Sequence, residues 1–179
     1  MSVEDRLSGG TAGDYPGLTL ALAIETPAWE AAGLGDIEAF AKATFDAAAA
    51  RLALPVSLTS EISVTLADDA TVRGVNAEWR EKDKPTNILS FPMADLGPGD
   101  LPGPLMGDLI LAYETVAREA AEEGKAFSDH LRHLLVHGFL HLMGFDHVDE
   151  DEAAAMEAEE VAILSGFGIA DPYLDAVNA

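Results

Sequence analysis

Residues 137–147 read HGFLHLMGFDH, and this short stretch decides how the rest of the chain is interpreted. It holds three of the chain's 5 histidines, and all five lie between His130 and His147. Residues 128–143 are apolar on almost every side of a helix, a pattern typical of a buried helix. We therefore predict a buried helix, capped by Ser128, that carries a cluster of imidazoles.

The spacing of the last three histidines suits a metal ion. His137 and His141 are four positions apart, so on a helix both rings leave the same face about one turn apart. Gly144 can take the left-handed conformation that ends a helix, which allows His147 to fold back toward the other two rings. Zinc held by three histidines keeps a fourth position for water, whose pKa falls toward about 7. We predict a catalytic site with one zinc ion per chain, bound by His137, His141 and His147.

The two remaining histidines allow other interpretations. His133 and His137 are also four positions apart, so a metal-binding pair one turn earlier is geometrically possible. That pair does not explain the presence of Gly144 and His147. A buried helix that carries ordinary core histidines is the other alternative. We expect His133 to pack or to support the ligands, and His130 to lie at the exposed start of the helix. Asp146 is expected to support the last ligand, or otherwise to order the turn.

The same spacing occurs in a class of zinc peptidases, whose pattern is H-E-x-x-H-x-x-G-x-x-H. Their glutamate activates the water on the zinc. Gly138 occupies that position here, so a peptidase would lack its general base while the metal site is retained.

Charge along the chain is strongly biased. The formal net charge is -22, from 32 acidic and 10 basic residues, which is the opposite of a general polyanion binder. A local patch can still face phosphate, because four bases lie close together at Arg73, Arg80, Lys82 and Lys84. Acids crowd residues 149–160, where we expect a solvated helix face.

The remaining segments predict a single α+β domain, a small mixed sheet of four strands covered by about five helices, with the metal site on the buried helix. A chain of 179 residues suits one such domain, and it has no cysteines, so thiol catalysis is excluded and zinc must be bound by nitrogen and oxygen. The expected strands are 18–25, 61–67, 88–91 and 108–113. The expected helices are 36–54 with an Asp36 cap, 68–79 with an Asp68 or Asp69 cap, 114–123, 128–143 and 151–164.

Two segments have no predicted helix or strand. Residues 1–17 contain acids and glycines and are expected to form a flexible leader, unlike a signal peptide. The longest early apolar run, residues 18–24, is far shorter than the roughly 20 residues that span a bilayer, so we expect a soluble cytoplasmic protein without a membrane partner. The Pro/Gly-rich stretch 95–107 is either a movable flap or an ordinary surface connection.

Two motifs resemble those of the YbeY family of bacterial endoribonucleases, and they occur in the same order as in that family. HGFLHLMGFDH matches the family's H-G-x-L-H-L-x-G-[YF]-D-H signature, and NAEWREKDKPTNILSFP (76–92) matches its second signature. GDLILAYETVAREA (107–120) and GFGIADPY (166–173) also fit, so the similarity extends over about residues 18–173. The resemblance implies that residues 18–179 form one YbeY-like metal-dependent hydrolase domain.

The resemblance also implies a function. It points to a zinc-dependent endoribonuclease that cuts single-stranded RNA during 3'-end maturation of small-subunit (16S) ribosomal RNA and in ribosome quality control. The implied partners are precursor ribosomal RNA and the small subunit or its proteins, with no DNA. Two alternatives are a ribosome-assembly factor that contains zinc and acts by binding, which the acidic surface favours, and a zinc peptidase, which Gly138 disfavours.

The second motif carries the candidate substrate contacts. The resemblance places an important arginine at Arg80, and a guanidinium beside a metal is suited to stabilising charge on a phosphoryl group. Lys82 and Lys84 are candidate contacts to the RNA backbone; the alternative is that these bases are solvated cations at a helix end. Trp79 could stack on a base, but its spacing from two upstream valines favours core packing.

Overall fold

A computed structural model describes residues 15–174 of the chain. This range contains four strands and five α-helices, besides a 3-10 turn at Glu30–Ala32. In chain order they are β1 (Leu18–Ile24), α1 (Ile37–Arg51), β2 (Ser60–Ala67), α2 (Asp69–Arg80), β3 (Ile88–Pro92), β4 (Leu105–Ala112), α3 (Tyr113–Glu122), α4 (Phe127–Leu142) and α5 (Glu150–Ser165).

The strands form one mixed sheet in the order β1-β2-β4-β3. β1 pairs with β2 and β2 with β4 in parallel, whereas β3 runs antiparallel to β4, with Ser90 opposite Leu109. β3 is therefore an edge strand, and it ends at Pro92, whose missing N–H suits an edge. The predicted α+β fold with a four-stranded mixed sheet and five helices is confirmed.

Helix α4 lies in the centre of the main core. Leu131, Leu135 and Phe139 are buried along it, and the Phe139 ring stacks on Phe45 of α1 with ring centroids 5.8 Å apart. The predicted buried helix is thus confirmed, because its apolar residues face α1, α3, α5 and the sheet rather than solvent. A second, smaller cluster lies under α2 and contains Ala67, Val72, Leu89 and Ala112.

Helix caps and strand ends agree with the prediction at most positions. Asp36 and Asp68 cap α1 and α2 by accepting backbone N–H groups of Ala39 and Thr71. The predicted Ser128 cap is wrong: α4 begins at Phe127, Ala126 takes the cap position, and no side chain caps the helix. β4 begins at Leu105, before the predicted start at residue 108, so pairing with β2 extends into the Pro/Gly-rich stretch.

The predicted leader, residues 1–17, lies outside the described residues as far as position 14. Tyr15 is buried, and its hydroxyl donates a hydrogen bond to the Leu54 carbonyl at 2.8 Å. Within residues 15–174, no helix combines the length and the apolar character that a bilayer crossing requires.

Candidate metal centre

Three histidine side chains meet at the carboxyl end of α4. One ring nitrogen each from His137, His141 and His147 lies within 4.8 Å of the other two. The Nε2 atoms of His137 and His141 are 3.1 Å apart. Two nitrogens bound at about 2.05 Å to one tetrahedral ion lie about 3.3 Å apart, so this pair already has the separation that such an ion needs. The predicted ligands are therefore placed together, and they fit a metal ion.

Gly144 produces the chain reversal that brings His147 back. Its φ of 97° is in the left-handed region, and the Phe145 N–H bonds to the Leu140 carbonyl across the end of α4. A Cβ at this position would lie 2.3 Å from the Leu96 carbonyl oxygen. The position thus requires glycine for its backbone conformation and for the close approach of the 94–97 segment.

Glu160 of α5 fixes the orientation of the ligand His137. Its side chain is buried, and its Oε2 accepts a hydrogen bond from Nδ1 of His137 at 2.8 Å. A histidine that donates from Nδ1 keeps a lone pair on Nε2, which is the atom facing His141. The network therefore sets the tautomer that a metal ligand needs.

The other carboxylate oxygen of Glu160 is also occupied. Oε1 accepts hydrogen bonds from Nε2 of His133 at 2.8 Å and from the Tyr173 hydroxyl. Burial by itself raises the pKa of Glu160, but the hydrogen bonds from His133, His137 and Tyr173 outweigh it and lower the pKa to about 2. The carboxylate is thus ionised, and the expected supporting role of His133 is seen as a bond to the group that orients His137.

Glu160 was not predicted as a site residue. In the sequence it is one of seven acids in residues 149–160, which were expected to form a solvated face. That expectation holds for exposed members such as Glu150, Asp151 and Glu157, but Glu160 points inward. The available signal was its position: Met156, Glu160, Ile163 and Leu164 are the buried residues of α5, at helical spacing.

His130 differs from its prediction. It was expected at the exposed start of the helix, but it is 4% exposed, because α3 packs against this end of α4. Its Nε2 faces Oε1 of Glu119 at 2.9 Å, and the same oxygen accepts a hydrogen bond from Asn87 at 3.0 Å. Burial raises the pKa of Glu119, but the bonds from His130 and Asn87 lower it overall.

Burial and nearby charge keep His141 in the form that binds a metal. Burial is the largest cause, followed by repulsion from His137 and His147, and together they lower the pKa of His141 to about 4. A metal ligand must be unprotonated. At neutral pH, His141 therefore presents a free lone pair.

The histidines open into a cleft of about 520 Å³. The lining comprises the three histidines, Arg80, residues 86–90 with Pro92, the loop residues 94–96 and the turn 144–146. The cleft thus brings Arg80 together with the three histidines, although they are distant in sequence. Arg80 donates a hydrogen bond from Nη2 to the Ser90 carbonyl at 2.7 Å, and its guanidinium lies 5.1 Å from the centroid of the Phe91 ring.

The other candidates of the second motif are placed differently. Lys82 and Lys84 are exposed and lie outside the cleft lining. Trp79 was expected in the core, but 68% of its surface is exposed. The helical spacing places it on the face of Val72, yet Trp79 belongs neither to the small cluster under α2 nor to the main core.

Gly138 and Asp146 have local structural roles. A Cβ on Gly138 would lie 2.8 Å from Cδ2 of Leu109 and 2.9 Å from Cδ1 of Ile88, so this position lets α4 approach the sheet closely. An acidic side chain does not fit there without displacing the sheet residues. Asp146 accepts the N–H of His147 at 2.8 Å, which orders the turn that carries this ligand.

The fold and site together define a class. A small α+β domain in which three histidines meet at an open cleft has the ligand set that catalytic metal sites use, and these histidines could hold one metal ion. A family model described as Endoribonuclease YbeY matches residues 26–168. The chain belongs to the YbeY endoribonuclease family.

Individual relatives agree with this assignment. The chain is 45% identical over 164 residues to the endoribonuclease YbeY of Allorhizobium ampelinum, covering 89% of this chain and 97% of that protein. The endoribonuclease YbeY of Azorhizobium caulinodans is 55% identical over 150 residues, covering 84% and 92%. That of Sinorhizobium fredii is 57% identical over 115 residues, covering 64% of this chain and 66% of that protein.

One solved structure has the same fold. A solution structure of a Thermotoga maritima protein superimposes with a TM-score of 0.55 at 18% identity, covering 82% of this chain and 87% of that one. At this identity the likeness concerns the arrangement of helices and strands only.

Proposed function

We propose that this protein is a zinc-dependent endoribonuclease that cuts single-stranded RNA, with precursor 16S ribosomal RNA as its substrate in 3'-end maturation and ribosome quality control. One observation carries the proposal: Arg80 and the three-histidine cluster line the same cleft. Membership of the YbeY endoribonuclease family supports the same reaction class.

The three histidines are the proposed zinc ligands. Zinc in such a site activates a water molecule and polarises a phosphoryl oxygen. Nitrogen donors suit zinc, and the chain has no cysteine to offer instead. Glu160 holds His137 in the tautomer that leaves Nε2 free, and the Gly144 turn delivers His147.

Arg80 is the proposed phosphate-binding residue. Its bond to the Ser90 carbonyl uses one guanidinium N–H group, which anchors the side chain on the edge strand and leaves the other donors for substrate. A planar fork of donors stabilises the negative charge that develops on phosphoryl oxygens during cleavage. Lys82 and Lys84, outside the cleft, are proposed to attract the RNA backbone on either side of the cut.

The test compares variants of the full-length protein with its zinc bound. His141→Ala is expected to lose both zinc and cleavage of a single-stranded precursor RNA. Arg80→Glu is expected to retain zinc, measured by elemental analysis, and to lose cleavage. Arg118→Glu changes an exposed arginine of α3 outside the cleft in the same way and serves as the matched control with unchanged cleavage. Intact RNA after incubation with fully zinc-loaded wild type would refute the proposal.

A second candidate is supported by the surface charge. Exposed acids on α5 and the net charge of -22 suit basic ribosomal proteins better than naked RNA, which favours an assembly factor that acts by binding. Cells that carry a folded His141→Ala protein distinguish the two. Accumulated ribosomal RNA precursors support cleavage, and normal ribosomal RNA ends support binding alone.

A further inference from the structure

Trp79 is the largest exposed apolar side chain of the described residues, and it has no structural role in the fold. The chain has 2 tryptophans. Trp29 is fully buried, and its Nε1 donates a hydrogen bond to the Ala67 carbonyl at 2.9 Å. Trp79 is 68% exposed, and in residues 15–174 no aromatic ring packs against it and no protein acceptor takes its Nε1 hydrogen. An exposed ring of this size indicates a binding surface for a ligand or partner molecule.

The position of Trp79 indicates which partner. It directly precedes Arg80, which lines the cleft beside the histidines. Arg80, Lys82 and Lys84 have no carboxylate within ion-pair distance in the described part of the chain, although the protein as a whole is strongly acidic. A free aromatic face next to unpaired cations is the combination by which proteins hold single-stranded nucleic acid, with cations on phosphates and rings on bases.

We infer that Trp79 stacks on one base of the single-stranded RNA, while Arg80 binds the phosphate next to that base. Trp79 thereby positions the substrate at the mouth of the cleft. The inference rests on the proposed function, because it requires RNA as the substrate. It assigns to the end of α2 two consecutive contacts, one to a base and one to the backbone. The stack does not depend on base identity, since every base has a π face.

The two tryptophans allow a direct optical test. Titration with a short oligoadenylate is expected to quench tryptophan fluorescence, because Trp79 is exposed and Trp29 is enclosed by protein. Trp79→Phe keeps a ring at the position and is expected to lose the quenching while binding within a few-fold of wild type. Trp79→Ala is expected to weaken oligoadenylate binding and raise KM about 5- to 150-fold, which corresponds to one stacked base.

Two controls separate stacking from charge and from stability. An abasic ribo-oligomer of the same length keeps the phosphates, so Trp79→Ala and wild type are expected to bind it equally. The zinc content and kcat at saturating RNA are expected to be unchanged in Trp79→Ala. Val56→Ala shortens another exposed apolar side chain outside the cleft and is expected to change nothing.

Equal oligoadenylate binding by wild type and Trp79→Ala would overturn the inference, and so would equal weakening on the abasic oligomer. A variant that binds RNA normally but binds small ribosomal subunits poorly would assign Trp79 to a protein contact instead, which also overturns it. Failure of the proposed function looks different. If wild type binds RNA through Trp79 but does not cut it, the stacking contact stands and the nuclease proposal fails.

Discussion

At the scale of single residues, Glu160 supports the three-histidine cluster from outside it. It is ionised, buried, and bonded to His133, His137 and Tyr173. Glutamine at this position keeps the shape of the side chain. It places an amide NH₂ group opposite a histidine ring nitrogen that donates a hydrogen bond in the wild type. Where the NH₂ group faces His137, relieving that clash moves the ring hydrogen to Nε2, the atom that must stay free for zinc; where the amide oxygen faces His137, a neutral acceptor replaces a charged one.

Glu160→Gln is therefore expected to bind zinc about 10- to 100-fold more weakly, the usual effect of removing the partner of a metal-binding histidine. Competition with a chelator of known affinity measures the change. Glu157→Gln removes an exposed acid from the same helix and is expected to bind zinc as wild type does. Equal zinc affinity in all three proteins would show that Glu160 has only a packing role.

Sequence reasoning identified the residues whose spacing is itself the signal. Three histidines separated by a helical turn and a glycine bend can be placed without any knowledge of the sheet. His130, Glu160 and Trp79 could not be placed correctly, because their exposure depends on which neighbouring element reaches them. α3 covers His130, α4 covers Glu160, and the small cluster under α2 does not include Trp79.

At the scale of elements, the helix-ending glycines give a matched comparison. Gly124 ends α3 with a φ of 66° and has open space where a Cβ would lie. Gly144 ends α4 with a φ of 97° and faces the Leu96 carbonyl. Both positions make an alanine costly, by roughly 1–2 kcal/mol for the left-handed conformation. Only at Gly144 must the backbone of another segment also move.

Gly144→Ala is therefore expected to lose more unfolding free energy than Gly124→Ala, and to bind zinc more weakly because His147 is displaced. Urea denaturation measures the first quantity and chelator competition the second. Gly124→Ala is expected to keep wild-type zinc affinity. An equal loss of unfolding free energy in both variants, with zinc affinity retained, would contradict this. It would show that the backbone at Leu96 moves away without loss of stability and that the turn accommodates a side chain.

The order of helices and strands followed from periodicity and cap residues, and the exceptions have local causes. Asp36 and Asp68 cap their helices because a short acidic side chain reaches the free N–H groups. Ser128 does not, since the turn after Gly124 already starts α4 at Phe127. The start of β4 was missed because its pairing with β2 is a tertiary contact that a Pro/Gly-rich sequence does not reveal.

At the scale of the whole molecule, a net charge of -22 must be reconciled with an RNA substrate. Unpaired cations near the cleft are few in the described residues: Arg80 in its lining, with Lys82 and Lys84 beyond it. Affinity for single-stranded RNA falls with salt as counterions are released, with a slope of log K against log salt of about -0.7 for each phosphate neutralised. Three contacts correspond to a slope of about -2.

Binding of a short single-stranded RNA, measured over a range of salt concentrations, is therefore expected to show this shallow slope of about -2. Replacing both Lys82 and Lys84 by alanine is expected to reduce it to about -0.7, leaving the Arg80 contact. Arg118→Ala removes the same kind of charge from α3 and is expected to leave the slope unchanged. A much steeper wild-type slope would mean that further bases reach the RNA, and an unchanged slope in the double variant would place the lysines outside the RNA path. A shallow slope that depends on these lysines would instead show how so acidic a protein holds RNA: through few charges, one in the cleft lining and two that follow it closely in the sequence.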